Sequence, residues 1–218
     1  MSPAARAATN SRRAPKPVGA AEFVPGGADL GRVRAAAAEC RGCGLYRDAT
    51  QTVFGAGPAH APVVMVGEQP GDQEDLRGEP FVGPAGRLLD RALEEAGFQR
   101  EELYLTNAVK HFKFTERGKR RIHKQPSRTE VVACSAWLAT ELDLIGPDLV
   151  VCLGAVAAKA VLGPSATVGP LRGRTVERPD FRVTGTVHPS SVLRAPDREA
   201  AYTEFLADLT YVHDSARR

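Results

Sequence analysis

Pro62-Val63-Val64-Met65-Val66-Gly67 reads as a short buried strand that ends in a turn, and the residues beyond it, Glu68-Gln69-Pro70-Gly71, are rich in polar chemistry. Working outward, Arg87 to Ala96 carries leucines and alanines at helical spacing and stops at Gly97, a helix with a glycine stop. Leu103-Tyr104-Leu105-Thr106 reads as a second strand. Ser127-Arg128-Thr129-Glu130 has capping-box spacing and opens a helix that reaches about Ile145. Leu149-Val150-Val151-Cys152-Leu153 is a third strand, followed by Gly154 and an alanine-rich helix to Leu162. Phe181 to Val187 is a fourth strand, and a last helix runs from near Pro196 to near His213. Strands alternating with helices imply parallel strands joined by crossovers, hence a layered α/β domain. In an open parallel sheet, ligands bind beyond the carboxyl ends of the strands. Those ends are 67–71, 107–111, Gly154-Ala155 and His188-Pro189-Ser190-Ser191.

The chain has 218 residues, enough for one domain with a substantial core. With 43% apolar and 25% charged residues it has the balance of a globular protein, and no apolar run is long enough to span a membrane. The net charge of +3 does not by itself point to nucleic acid. Four cysteines are too few for a disulfide-dense scaffold, and the expected compartment is the bacterial cytoplasm. Residues 1–21 hold Arg6, Arg12, Arg13 and Lys16 with no acid among them; Pro3, Pro15 and Pro17 interrupt any amphipathic helix there. Residues 1–28 are therefore expected to be a disordered basic tail, and 29–218 a single domain.

The chain lacks a phosphate loop, a dinucleotide-binding glycine triplet and a Gly-x-Ser-x-Gly elbow, which weakens ATPase, dehydrogenase and serine hydrolase readings. Cys40-Arg41-Gly42-Cys43 follows a helix and precedes a loop, so metal binding suits it better than thioredoxin-type redox chemistry. Further ligands could come from Cys134, Cys152, His111 or His123; Cys152, inside an apolar strand, reads as a small buried hydrophobe. Spacing alone leaves zinc, the commoner answer, and an iron–sulfur cluster both open. Residues 117–124, Arg-Gly-Lys-Arg-Arg-Ile-His-Lys, are the densest positive patch and follow the second strand on the expected ligand side. A solvated loop is the ordinary explanation of such a run, but the location suits a phosphate backbone. The neighbouring cations are expected to keep His123 neutral, and a neutral imidazole is a candidate nucleophile.

Taken together these segments resemble the uracil-DNA glycosylase superfamily. Gly67-Glu68-Gln69-Pro70-Gly71 is similar to its first motif and His188-Pro189-Ser190 to its second. Residues 81–86 and 105–110 resemble blocks of its iron–sulfur members, and Lys119-Arg120-Arg121-Ile122-His123 resembles the signature loop of family X, the UdgX-type branch. The resemblance implies a three-layer α/β/α sandwich with a four-stranded parallel sheet. It implies a 4Fe-4S cluster held by Cys40, Cys43, His111 and Cys134, acting as a structural staple; His111 stands where the related branch has cysteine. It also implies that Phe81 stacks on the flipped uracil, Asn107 reads the O4 and N3–H edge, and His188 donates to O2 as the anion forms.

His123, by the same resemblance, attacks C1′ and stays bonded to the abasic sugar. Glu68 either orients His123 and accepts its proton or holds the loop; Gln69 and Asp72 are expected at the substrate, Asp75 is a weaker acid candidate, and Arg121, with Lys119 and Arg120, anchors the loop or contacts phosphate. The expected partner is uracil-containing DNA, single-stranded by preference, bound by a monomer with no membrane attachment. A conventional turning-over glycosylase is the alternative, and a zinc-stapled nucleic-acid-binding module is the rival from another class.

Overall fold

The computed structural model describes residues 19–217. In chain order its regular elements are α1 (Leu30–Ala38), β1 (Val63–Gly67), α2 (Asp72–Arg77), α3 (Pro84–Glu95), β2 (Leu103–Asn107), β3 (Phe114–Arg117), β4 (Arg120–His123), α4 (Arg128–Ile145), β5 (Leu149–Leu153), α5 (Ala155–Leu162), β6 (Val176–Glu177), β7 (Arg182–Thr186), α6 (Pro189–Leu193) and α7 (Arg198–Ala216), with short 3-10 turns between them. The main sheet runs in the order β2-β1-β5-β7-β6. The first four strands of that order are parallel, and β6 is antiparallel to β7.

Two faces of the parallel strands are buried alternately, as a pleat of period two requires. Val63, Met65, Leu149, Val151 and Leu153 point into one layer, against Leu89, Leu93, Phe205 and Leu209 of α3 and α7. Val64, Val66, Val150 and Cys152 point into the other, against Leu138, Leu142 and Ile145 of α4 and Ala157 and Ala158 of α5. The expected three-layer α/β/α sandwich is thus found, and the four expected strands are its parallel core. The sheet has five strands rather than four, because the two residues of β6 add an antiparallel edge too short to leave a periodic signal.

Residues 117–124 depart further from expectation. They are part of an antiparallel hairpin, β3–β4, in which Phe114 pairs with His123 and Glu116 with Arg121. Gly118, at φ +62°, takes the first of the two turn positions, where a type II′ turn places glycine.

The expected tail overlaps the fold at its end. Residues 1–18 lie outside the described residues, but Ala20 and Ala28 are buried in a cluster with Val33, Ala37, Cys40, Cys43, Cys134 and Trp137. These small apolar side chains pack the segment on α4 without any periodic pattern in the sequence. Ser127 caps α4 as expected, its hydroxyl accepting from the Glu130 N–H while Glu130 accepts from the Ser127 N–H. Among the described residues no helix is long and apolar enough to cross a membrane.

One buried charge pair ties α4 to the sheet. Glu141 and Lys110 form an ion pair, and both side chains are fully inaccessible. The carboxylate also accepts from Gly55 N (3.0 Å), Tyr104 Oη (2.9 Å) and Thr106 Oγ1 (2.9 Å). Removing one member of such a pair strands the other charge in a dry interior. Glu141→Leu is therefore expected to lower the urea-unfolding free energy by roughly 3–5 kcal/mol; a loss below about 1 kcal/mol would mean that Lys110 finds water.

Candidate functional site

The parallel strands follow the chain order second, first, third, fourth, so the order reverses beside β1, and the crevice beyond the strand ends there is the expected ligand position. A cavity of about 730 Å³ opens at that point, lined by Glu68, Gln69, Asp72, Phe81, Asn107, His123 and His188 among others. The structure thus gathers at one cavity seven of the eight residues assigned to catalysis or substrate, from five separate stretches of chain. Arg121 is not among the lining residues.

The floor depends on Gly67. A Cβ there would lie 2.3 Å from Asn107 Oδ1 and 2.6 Å from Phe81 Cζ, so only glycine lets both side chains reach the cavity. Phe81 itself sits at φ +58°, the one non-glycine residue with positive φ among the described residues. Strain of this kind persists where surrounding structure enforces it. Here Gly86 permits it, since a Cβ at 86 would collide with the Phe81 carbonyl. Glu74 braces the rim, accepting from Gly71 N (3.1 Å) and Gly83 N (2.7 Å) and so tying the starts of α2 and α3 together. Asn107 is only 3% exposed, and its side-chain amide has no hydrogen-bond partner among the described residues, which leaves both its donor and its acceptor to the cavity.

His188 has a defined tautomer. Its Nδ1 accepts from the Ser190 N–H at 3.2 Å, so in the neutral ring the proton is on Nε2. Burial lowers its pKa to about 4, helped by His123 and Arg194, so the ring is a neutral donor at ordinary pH. Its ring lies nearly parallel to that of Phe81, 29° between planes with centroids 6.3 Å apart. Across the cavity, His123 Nε2 lies 3.4 Å from Glu68 Oε1. The His123 pKa is lowered chiefly by burial and then by Arg194, not by the hairpin cations invoked from sequence. Burial raises the Glu68 pKa, opposed by a hydrogen bond from Gln125 and by Arg194.

Three residues expected at the substrate hold the hairpin: Gln69 and Asp72, which also line the cavity, and Arg121, which does not. Gln69 Nε2 donates to the Lys113 and Lys124 carbonyls (3.2 and 3.1 Å), and its Oε1 accepts from Lys113 N (3.2 Å), so the Gln69 side chain clasps both strands at the base of the hairpin. Arg121 donates to Asp72 Oδ1 (2.7 Å) and to the fully buried Asp75 (2.5 Å), which pins β4 to α2. Arg121 also lies over the Phe112 and Phe114 rings. Asp72 and Arg121 thus engage each other, and Arg121 is a loop anchor, one of the two roles open to it from sequence. Lys119 and Arg120 are exposed and form no ion pair among the described residues.

Sequence reasoning missed Arg194, Gln125 and Glu74. Arg194 follows the His188-Pro189-Ser190 motif by one short helix, α6, that folds back to the cavity; a cation so soon after a strand-end motif was the available signal.

Cys40, Cys43 and Cys134 share one buried cluster with Trp137. Cys152 lies apart in the sheet, as expected of a packing residue, its thiol pushed up to about 12 by burial. Among the described residues no group of three His, Cys, Asp or Glu side chains could hold a metal ion. The donor chemistry still fits an iron–sulfur cluster, whose ligands sit on separate irons and whose sulfurs accept N–H bonds. Cys40 Sγ accepts from Trp137 Nε1 (3.2 Å) and Gly42 N (3.5 Å), and Cys134 Sγ accepts from Lys110 N (3.3 Å). His111, buried and neutral with a pKa near 4, opens with Cys40 onto a cavity of about 210 Å³. The Thr52 hydroxyl donates to Ala37 O (2.9 Å), so at 2.9 Å it accepts from His111 Nε2–H, and the His111 Nδ1 lone pair is left free for a ligand.

Residues 54–210 match the Uracil DNA glycosylase superfamily. A Type-4 uracil-DNA glycosylase of Archaeoglobus fulgidus is 36% identical over 171 residues, covering 75% of this chain and 82% of the relative. A Type-4 uracil-DNA glycosylase of Thermotoga maritima is 35% identical, covering 74% and 81%. A Type-5 uracil-DNA glycosylase of Pyrobaculum aerophilum is 31% identical, covering 62% and 63%. The family match takes in every strand and the whole cavity, and with it this chain belongs to the uracil DNA glycosylase superfamily.

Proposed function

We propose that this protein excises uracil from DNA and retains the abasic sugar on His123. The observation that carries the reading is the His123–Glu68 contact at one side of the cavity, facing a floor that presents the free amide of Asn107 and the Nε2–H of His188. Extruding a base costs a few kcal/mol, recovered here by stacking on Phe81 and by pairing with Asn107. The Asn107 amide can donate to O4 and accept from N3–H, and the reversed edge of cytosine leaves it unpaired.

As the N1–C1′ bond breaks, its electron pair leaves on uracil, and His188 Nε2–H donates to O2 where that charge collects. A neutral ring serves here because it donates without surrendering its proton. The lone pair of a His123 ring nitrogen then forms the bond to C1′. The resulting imidazolium passes its remaining N–H proton to Glu68, the carboxylate beside it, which in turn exchanges that proton with solvent. Single-stranded DNA, which costs less to unstack, is the favoured substrate, and the exposed Arg117, Lys119 and Arg120 suit its backbone. The protein acts as a monomer.

In this reading Cys40, Cys43, His111 and Cys134 hold a 4Fe-4S cluster. The cluster supplies a structural link between the amino-terminal segment, α4 and the start of the hairpin. Iron and acid-labile sulfide, measured on the purified protein, are expected in stoichiometric amounts, and stoichiometric zinc would reject the assignment.

Incubation with uracil-containing single-stranded DNA, followed by denaturing electrophoresis, is expected to give a slow, heat-resistant band that His123→Ser abolishes. Abasic product in molar excess over enzyme would instead mark a turning-over glycosylase. The lowered His123 pKa keeps the nucleophile neutral through neutral pH, so adduct formation should be level there and decline only as pH falls below 6.5. A decline centred above 6.5 would contradict a neutral nucleophile with that pKa. Gly67→Ala, which drives a methyl group into Asn107 and Phe81, is expected to cost about 1–3 kcal/mol of stability and to slow uracil release roughly 100-fold.

A further inference from the structure

We propose that the buried Lys110–Glu141 pair is a positioning device that fixes the place from which the Asn107 amide reaches the uracil edge, an inference that rests on the cavity being a uracil pocket. Lys110 does not line the cavity, so any effect on base choice passes through its neighbours. Its Nζ is fully buried and donates to three partners: Thr106 Oγ1 (2.6 Å), the Asn107 carbonyl (2.8 Å) and Glu141 Oε2. An ammonium has three N–H bonds, so none is left over.

The Asn107 carbonyl lies at the carboxyl end of β2, where the strand ladder stops. The turn that follows is held by Ala108 N to Gly67 O (3.0 Å), Val109 N to Glu68 O (3.0 Å) and Lys110 N to Cys134 Sγ (3.3 Å). Lys110 Nζ folds back to hold the Asn107 carbonyl, the first polar group of that turn. A charge-assisted bond is shorter and stiffer than a neutral one, and the carboxylate behind it keeps the ammonium in place.

Base selection makes this stiffness useful. The Asn107 side chain has no hydrogen-bond partner of its own among the described residues, so no bond to the amide itself holds it at the edge of the base. Its backbone direction, together with packing against Gly67, therefore decides where the amide stands in the cavity. Stability alone does not call for the ion pair, since well-packed apolar residues commonly hold helix to sheet equally well.

The test uses Lys110→Met/Glu141→Gln, which removes both charges and keeps an acceptor for Tyr104, Thr106 and Gly55, with Thr106→Val as a milder second variant. Inhibition by free uracil, single-turnover release of uracil and affinity for undamaged single-stranded DNA are measured beside thermal unfolding. The double variant is expected to weaken uracil inhibition and slow release by about ten-fold each, and Thr106→Val by a few-fold, with DNA affinity unchanged within about two-fold. Variants that bind and release uracil as the wild type does overturn the inference. So does a loss of DNA affinity and thermal stability in step with uracil binding in both variants, which marks a purely structural pair. A wild-type protein that neither binds nor releases uracil removes the pocket reading itself, and this inference with it.

Discussion

Arg121 holds the part of the molecule that cannot hold itself. A two-stranded hairpin is marginal in water on its own, and β3–β4 has only Phe114 and Ile122 as apolar side chains. Its position comes from outside: Arg121 bonds Asp72 and Asp75 of α2, and Gln69 clasps the carbonyls of Lys113 and Lys124. Asp75 is the stronger end of the clamp. Its carboxylate is fully inaccessible and also accepts from Thr50 N, so it cannot swing away with the arginine. His123 stands two residues beyond Arg121 on the same face of β4, as strand periodicity requires. The place of the imidazole beside Glu68 is therefore set by the same bonds that keep the hairpin on the domain.

A second constraint runs along α4. Cys134, Trp137 and Glu141 recur at three and four residues and so share one face of the helix. Cys134 accepts the amide of Lys110, Trp137 donates to Cys40, and Glu141 takes the Lys110 ammonium. One helix face thus grips the segment from Asn107 to His111 by its backbone and by its side chain, and ties it to the cysteines of the amino-terminal region. That segment leads directly into Lys113, where the hairpin begins. Floor and hairpin are two ends of one stretch of seven residues, 107–113.

The sequence was legible where a property is local. The continuous apolar runs of β1, β2 and β5, the capping box of Ser127 and the glycine stop at Gly97 each state their structure within a few residues. The cavity residues at the strand ends followed from the sheet type. The hairpin was not legible, because what makes 114–123 a pair of strands is contact with Gln69 and Arg121's partners, not an alternation of its own. The partners of Arg121 stand 46 and 49 residues away in sequence. A run of cations therefore read as a loop suited to a phosphate backbone, and the hold of Asp72 and Gln69 on it was not foreseen. The lowered pKa of His123 was foreseen in direction but not in cause, since burial and Arg194 belong to the tertiary structure.

These assignments bear on why an imidazole, rather than water, would capture the sugar in the proposed reaction. Water needs a base to direct it, and three carboxylates line the cavity: Glu68, Asp72 and Glu74. Asp72 is occupied by Arg121, and Glu74 accepts from the Gly71 and Gly83 amides. Gln69, next to Glu68, carries no charge, and its amide is spent on the hairpin. Glu68 is the remaining carboxylate, and His123 lies between hydrogen-bond and van der Waals distance from it, at 3.4 Å. The bonds that fasten the hairpin and brace the rim thus engage the other candidate bases and leave Glu68, which takes a hydrogen bond from Gln125, as the carboxylate facing the ring. Choice of nucleophile would then follow from how the hairpin is anchored, because any change that frees Asp72 or Gln69 also loosens His123.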